Sequence, residues 1–274
     1  MKQAYLSRHA GGKLVRFLAA NGYEINTVTE YGIVNQNTSD LNDALGLTMN
    51  SDGSLDSSRS VHVDPRIATH ADIYMCQLGL WNEAGIFYGD PERLGPKYPD
   101  DIIYNAVCTR NYVFHLVEKT DPDLVDSIVT WRRSLASRTG TPDHDGNIRE
   151  ETKIIGVRQG YCRCMCLPVD NDSFITSDEG IAKALEAQGA GVLLIEKGHI
   201  KLRGFEYGFI GGTAGNIYVN SDDMQDQRAI VFNGDLSVHP DFHRISSFIR
   251  SRNILPVWFE DYALEDIGSI LAIE

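Results

Sequence analysis

The chain has 274 residues, of which 42% are hydrophobic and 23% charged, as in a globular protein of one large domain or two small ones. A net charge of −13 argues against nucleic-acid and anionic-membrane partners, because phosphate binding requires clustered Lys and Arg. No apolar run is long enough to span a membrane, and the N-terminus lacks a signal-peptide hydrophobic region. Five cysteines, an odd number, then favour reduced thiols and a cytoplasmic location.

Four segments have apolar residues at helical spacing, and each is followed by a short strand-like run. The first, residues 13–21, ends at Asn21-Gly22, a helix-stop signal. The predicted helices are 13–21, 122–131, 179–188 and 243–252. The predicted strands that follow them are 23–28, 154–157, 192–195 and 254–258. A short apolar strand and a second strand precede most of these helices, so we predict a repeated unit of strand, strand, helix, strand.

Five divergent copies of this unit predict a closed ring. The predicted first strands are 70–76, 99–105, 158–164, 205–211 and 264–270. The last copy lacks a helix and strand that the N-terminus could supply, so the expected fold is an α/β five-bladed propeller closed by the terminal segments. We expect a single domain, 1–274, with polar insertions at about 30–64 and 134–152. The alternative is ordinary strand–helix alternation of an α/β chain.

The most unusual stretch is 158–169, in which Cys162, Cys164 and Cys166 occur at every second position. An extended chain would turn all three thiols to one face. Cys164 is the candidate nucleophile, since Arg158, Arg163 or a nearby protonated His could lower the pKa of its thiol. Alternatively, the cysteines only pack in the core. We expect no metal, because thiols spaced along one strand do not converge on one ion.

His70 and Asp72 form the second candidate pair, in the sequence Thr69-His70-Ala71-Asp72. On a strand both side chains would face the same side, which suits an imidazole acting beside a carboxylate. The alternative is a histidine that only forms a local hydrogen bond at a strand start.

Several carboxylates occupy one register of the repeat. Asp72, Asp101 and Asp266 align, and Glu206 is one step away. Carboxylates around one cavity would bind a cation such as a guanidinium, which accepts bidentate pairing. Alternatively, each Asp only caps a local strand end.

These features together resemble the pentein superfamily of guanidino-group-modifying enzymes, which includes arginine and agmatine deiminases, dimethylarginine dimethylaminohydrolases and amidinotransferases. Arg163-Cys164-Met165, with Pro168 following, is similar to the nucleophile segment of arginine deiminases, and His70-Ala71-Asp72 is similar to the family's His-x-Asp motif. The chain looks most like a separate bacterial branch of that superfamily. It departs from the enzymes in one respect, because their nucleophilic cysteine lies near the C-terminus and Cys164 is in mid-chain.

The resemblance implies a thiol-dependent hydrolase, of the iminohydrolase or deiminase type, that acts on a guanidine or amidine. Cys164 would be the nucleophile, His70 the general acid and base, and Asp72 the guanidinium ligand. The other expected substrate-binding residues are Asp101, Asn105, Arg163, Glu206 and Asp266. No cofactor is implied, and the partner would be a small cationic molecule, with a homodimer left open. The alternatives are an amidinotransferase and a non-catalytic binding or assembly protein of the same fold.

Overall fold

A computed structural model describes residues 1–30, 32–35, 63–139, 152–220 and 226–274. Six α-helices are present in these residues: α1 (Gly12–Ala20), α2 (Ala71–Tyr74), α3 (Pro122–Thr139), α4 (Cys162–Met165), α5 (Glu179–Glu186) and α6 (Phe242–Arg250). The strands in the same residues are β1 (Gln3–Ser7), β2 (Glu24–Thr29), β3 (Gly32–Asn35), β4 (Met75–Leu78), β5 (Gly85–Tyr88), β6 (Val107–Cys108), β7 (Tyr112–His115), β8 (Lys153–Gly156), β9 (Cys166–Pro168), β10 (Ser173–Thr176), β11 (Gly191–Leu194), β12 (Ala214–Val219), β13 (Gln227–Phe232), β14 (Leu255–Val257) and β15 (Leu271–Ile273).

The described strands form four separate mixed sheets. Their strand orders are β15-β1-β2-β3, β5-β4-β6-β7-β8, β9-β10-β11 and β12-β13-β14. The predicted five-bladed propeller is therefore wrong, because two predicted units share one five-stranded sheet and the sheets stay separate. The error has a physical reason: strand–helix periodicity constrains neighbouring elements, whereas closure depends on which sheet edges pair, and a sequence pattern does not encode that.

The local unit of the repeat is present in all four sheets. Each contains two parallel strands joined through a long helix (β1-α1-β2, β7-α3-β8, β10-α5-β11 and β13-α6-β14), with an antiparallel strand on the other side. In the first sheet, that antiparallel strand is β15, so the two ends of the chain pair with each other. The predicted long helices are confirmed, and α3 extends eight residues beyond its predicted end at 131.

The predicted first strands are mostly wrong. Residues 71–74 and 162–165 form single helical turns, and 99–105, 205–211 and 264–270 consist of turns and irregular backbone. Short apolar runs do not distinguish a strand from a buried helical turn, and Asp, Asn and Gly disfavour strands. The consequence is large, because the extended backbone assumed for the three thiols and for the His70–Asp72 pair is absent.

The predicted insertions lie largely outside the described residues. Where they are described, residues 32–35 form β3, which pairs with β2, and residues 134–139 continue α3. These parts belong to regular elements rather than to loops. The single-domain boundary of 1–274 stays a prediction.

The core consists of four apolar clusters. Strands β4, β9, β12 and β15 are buried along almost their whole length. Leu271 of β15 is fully buried, in the same cluster as Tyr5 of β1. No helix in the described residues is both long and apolar enough to cross a membrane.

The burial of Leu271 gives a test of the terminal pairing. We expect Leu271→Ala to lower the free energy of unfolding by about 2–5 kcal/mol, because it leaves a cavity between β15 and β1. Urea unfolding measures this, with Leu194→Ala as the control. Leu194 lies on β11 and is partly exposed, so its loss should cost less than about 1 kcal/mol. Equal costs for the two variants would contradict the packing of β15.

Candidate active site

Five chain segments meet in the interior, each just before a strand. The turns α2 and α4 precede β4 and β9, and residues 105, 211–213 and 269 precede β6, β12 and β15. They contribute the side chains of Asp72, Asn105, Arg163, Cys164 and Ser269, all buried, which we call the buried polar cluster. Hydrogen bonds join all five side chains to one another or to the backbone of Gly211 and Ala214.

Asp72 and Cys164 are in direct contact within this cluster. The Cys164 thiol donates a hydrogen bond to Asp72 Oδ2 at 3.0 Å, and the Ser269 hydroxyl donates to the same oxygen at 2.6 Å. The second oxygen, Asp72 Oδ1, is buried and accepts no hydrogen bond from any described residue. Leaving a buried acceptor without a hydrogen bond costs about 1–3 kcal/mol of folding free energy, and more for a charged group. A donor bound at Asp72 Oδ1, beside the thiol, would recover that free energy.

Asn105 fixes the two helical turns relative to each other. Its Nδ2 donates to the Asp72 backbone carbonyl at 3.0 Å and lies 3.4 Å from Cys164 Sγ. Its Oδ1 accepts the Arg163 backbone N–H at 2.7 Å. One amide therefore contacts both turns, and the sequence-predicted residue Asn105 lies at the site.

Arg163 lies beside the site, but its guanidinium contacts only the protein. It donates to the carbonyls of Gly211 at 2.9 Å and of Ala214 at 3.1 Å. Burial lowers the pKa of this guanidinium, and the Asp72 carboxylate opposes that effect. Two donors of Arg163 therefore hold the backbone at the start of β12.

The environment keeps Cys164 protonated. Burial raises the pKa of its thiol well above the ordinary value, the Asp72 and Asp266 carboxylates raise it further, and the Asn105 hydrogen bond opposes them. The sequence-based expectation was a pKa lowered by Arg158 or Arg163. Burial and the carboxylates prevail instead, because the thiol is enclosed and Asp72 touches the sulfur, while Arg163 donates to backbone carbonyls.

The other two cysteines of the stretch turn away from Cys164. Helical turns rotate successive side chains by about 100°, so Cys162 and Cys164 lie on different sides of α4. The Cys162 thiol donates to the Gln159 carbonyl at 3.0 Å, and Cys166 is buried in β9. The predicted common face of three thiols is therefore wrong. All five cysteines are free thiols.

His70 lies at a small pocket adjoining the cluster. The pocket has a volume of about 10 Å³, enough for about one water molecule, and His70 and Asp266 line it together with His9, Arg66, Arg203 and Glu265. The imidazole forms no hydrogen bond with a described side chain, Cys164 included. Burial lowers the pKa of His70 to about 4, so the ring is neutral at neutral pH.

Gly268 explains the tight placement of His70. This glycine has a φ of 72°, a left-handed conformation that favours glycine. A Cβ at Gly268 would collide with the His70 side chain. The backbone carbonyl of Gly268 also accepts the Asp72 N–H at 3.2 Å. The segment before β15 therefore positions both members of the His-x-Asp motif.

Asp266 is buried between the pocket and the cluster. Its carboxylate accepts the backbone N–H groups of Gly268 and Phe209, each at 2.9 Å. Burial, and then the nearby Asp72 carboxylate, raise the pKa of Asp266 to about 7. Two charged acids in one small volume repel each other, so binding of a cation near both carboxylates would be favourable.

Asp101 and Glu206 are placed differently. Asp101 is buried, and its Oδ2 accepts the Tyr161 hydroxyl at 2.8 Å, so it adjoins the residue that precedes α4. Glu206 is exposed on the surface, and the structure does not bring it together with the buried polar cluster. The common register predicted for the carboxylates therefore holds only for Asp72 and Asp266 as near neighbours.

Sequence reasoning missed Ser269. Its hydroxyl contacts both Asp72 Oδ2 and the Gly211 carbonyl, the latter at 3.1 Å, and its φ of 69° is unusual for a residue other than glycine. Such strained residues cluster at functional sites. In the sequence repeat, Ile270 occupies the position equivalent to Cys164, and Ser269 is the residue before it. The repeat register was therefore the one sequence feature that pointed near Ser269, since no motif includes this residue.

Among the described residues, no group of three His, Cys, Asp or Glu side chains is arranged to hold a metal ion.

A family model with the description "Family of unknown function (DUF6873)" matches residues 145–271, less than half of the chain. The matched part includes Cys164, Asp266 and Ser269 but not His70, Asp72 or Asn105. No curated protein matches the chain.

The depressed pKa of His70 predicts a pH effect on stability. The unfolded state takes up a proton near pH 6.5, whereas the folded state does so only near pH 4. Between these values the unfolded state binds more protons, so stability falls as the pH falls, by up to about 3 kcal/mol from this group. His70→Gln should remove that loss, so the difference in unfolding free energy between wild type and variant should shrink from pH 7 to pH 4.

Urea unfolding at a series of pH values measures this difference. His243→Gln is the matched control, because His243 is exposed on α6, and its curve should run parallel to that of the wild type. Parallel curves for His70→Gln and the wild type would show that His70 is not held neutral by burial.

Proposed function

We propose that this protein binds a guanidinium or amidinium compound at Asp72 and cleaves one of its C–N bonds through Cys164. The observation that carries this proposal is the buried oxygen Asp72 Oδ1, which accepts no hydrogen bond from a described residue, while Asp72 Oδ2 accepts one from the Cys164 thiol. A guanidinium offers N–H donors in a planar fork that fits a carboxylate. A donor held by Oδ1 would bring the electrophilic carbon close to the sulfur.

Charge complementarity supports a cationic ligand. Asp72 and Asp266 are both buried, and repulsion between them raises the pKa of Asp266. Arg163 offsets part of this negative charge, but its guanidinium donates to the backbone carbonyls of Gly211 and Ala214 rather than to either carboxylate. A bound cation would satisfy Oδ1 and relieve the repulsion between the two acids.

Ligand binding would also activate the thiol. Burial is the largest cause of the raised pKa of Cys164, and the two carboxylates that raise it further are the groups that the cation would neutralise. Cys164 would therefore be unreactive in the free protein and would form a thiolate once the ligand is bound. Its proton would pass to the neutral imidazole of His70, which delivers it to the departing nitrogen, so that Asp72 keeps the charge that pairs with the cation.

The chemistry balances without a redox step. The sulfur forms a bond to the guanidinium carbon, the bond from that carbon to one nitrogen breaks, and the departing nitrogen takes a proton and leaves as ammonia or an amine. Water then attacks the amidino-thioether, the C–S bond breaks, and a urea or ureido product leaves with the thiol restored. His70, neutral near pH 7, is the proposed base for the attacking water and the carrier of the proton.

A second candidate is a cation-binding protein without turnover. It is favoured by the burial of Cys164, only 3% exposed, and by a pocket that holds about one water molecule. A guanidinium can enter only if the side chains around His70 move. Transfer of the amidino group to an amine instead of water is the remaining catalytic alternative. The resemblance of the Arg163-Cys164-Met165 and His70-Ala71-Asp72 segments to guanidino-group-modifying enzymes supports the catalytic candidates.

We also propose a cytoplasmic location, since the five cysteines are free thiols.

Labelling with 2-chloroacetamidine tests the proposal against its neutral isostere, 2-chloroacetamide. We expect the amidinium reagent to modify Cys164 faster than the amide by about tenfold or more, because a cation pairs with Asp72 and lowers the pKa of the thiol. Asp72→Asn should abolish this preference. Mass spectrometry of the digested protein identifies the modified cysteine. In a separate assay with an added guanidine, release of ammonia and urea distinguishes turnover from binding alone.

Cys76 and Cys108 provide internal controls, since both are buried thiols away from Asp72. Equal rates with the two reagents, or faster labelling of Cys76 or Cys108 than of Cys164, would eliminate the proposed nucleophile. Selective labelling without turnover of any guanidine would favour the binding protein.

A further inference from the structure

A second buried carboxylate near the site lacks a cationic partner. Asp101 is 2% exposed, its Oδ2 accepts the Tyr161 hydroxyl, and its Oδ1 accepts no hydrogen bond from a described residue. Burial raises the pKa of Asp101, the Tyr161 hydrogen bond opposes that effect, and the nearby Asp64 and Asp100 carboxylates raise the pKa further. Asp101 therefore resembles Asp72 in having one buried oxygen that accepts no hydrogen bond from a described residue.

The neighbouring acids are already neutralised. Asp64 pairs with Arg66 and Asp100 pairs with Lys119 at 3.0 Å, whereas Asp101 forms no ion pair with a described residue. Of these three acids, Asp101 is thus the one without an ion pair among the described residues. Arg66 is held by Asp64, by the Gly204 carbonyl and against the Phe205 ring.

The tyrosine that binds this carboxylate belongs to an aromatic cluster. The Tyr161 ring stacks on Tyr98 at 5.6 Å between centroids and lies 6.4 Å from Phe209. Tyr98 is 49% exposed, so the cluster reaches the solvent. Aromatic faces together with a carboxylate are the combination that binds ammonium and guanidinium groups.

The two unused acceptors are connected through Tyr161. Its hydroxyl binds Asp101, its backbone leads directly into α4, and the charge of Cys164 affects the pKa of its phenol. A ligand that reaches from Cys164 along Tyr161 would arrive at Asp101. On the pocket side, by contrast, both arginines that line the pocket already pair with a carboxylate, Arg203 with Glu265 and Arg66 with Asp64.

We propose that Asp101, Tyr161 and Tyr98 form an outer subsite for a second cationic group of the substrate. This inference rests on the proposed function and refines it: the substrate is a dication, an alkylguanidine or alkylamidine whose far end carries an ammonium or a second guanidinium. A guanidino acid, with a carboxylate at the far end, would be repelled by Asp101.

Three alkylguanidines of equal chain length, ending in an ammonium, a methyl or a carboxylate group, test the subsite. The readout is protection of Cys164 from 2-chloroacetamidine, which gives a binding constant for each compound without requiring turnover. We expect the ammonium compound to bind at least about tenfold more tightly than the methyl compound, and the carboxylate compound to bind most weakly. Asp101→Asn should remove the advantage of the ammonium compound and leave the methyl compound unchanged.

Asp100→Asn is the matched control, because Asp100 is the exposed neighbour that pairs with Lys119, and it should leave the ranking unchanged. The wild-type ranking is informative even if Asp101→Asn fails to fold. Equal binding of the three compounds, or tightest binding of the carboxylate compound, would overturn the outer subsite while leaving the proposed function intact. Absence of protection by all three would overturn both.

Discussion

The hydrogen bond from the Cys164 thiol to Asp72 Oδ2 joins segments that are 92 residues apart, and the rest of the site depends on it. The segments are the single helical turns α2 and α4, and each leads into a buried strand. Asn105 fixes the two turns relative to each other, Ser269 holds the shared oxygen, and Arg163 clamps the segment before β12. The same contact also sets the electrostatics. Burial keeps the sulfur protonated, and the carboxylate that touches it acts in the same direction. The other carboxylate oxygen accepts no hydrogen bond from a described residue. One bound cation would offset the charge of the carboxylate and supply a donor to that oxygen.

Much of the local structure could be predicted from the sequence. The amphipathic helices were found because their buried faces repeat at helical spacing, and their ends were marked by Gly22, Gly189 and Asn253. All three of these residues have positive φ in the structure. The single turns α2 and α4 could not be predicted, because four residues are too few to show a period. The arrangement of the sheets could not be predicted either, since the pairing of sheet edges depends on contacts that no local pattern records.

The site was predicted in part and for reasons that can be separated. Repeat register placed Cys76, Asn105, Cys164 and Gly211 at equivalent positions, and the structure brings the last three together while Cys76 lies against Cys108. Register does not give the direction of a side chain, so Asp101 was placed with Asp72 although it binds Tyr161. Asp266 does lie near Asp72. The predicted thiol pKa had the wrong direction because sequence proximity to arginine says nothing about where the guanidinium donates. Ser269 carried no motif and was found only from its contacts.

The central claim is that Asp72 Oδ1 and Cys164 Sγ face one bound cation. A crystal structure of the Cys164→Ala variant with a bound alkylguanidine tests it most directly, because the variant removes turnover while leaving the carboxylate in place. The account predicts a guanidinium N–H within hydrogen-bond distance of Asp72 Oδ1, with the guanidinium carbon over the position of the missing sulfur. A guanidinium bound elsewhere, with Asp72 Oδ1 still unpaired or occupied by water at saturating ligand, would contradict it.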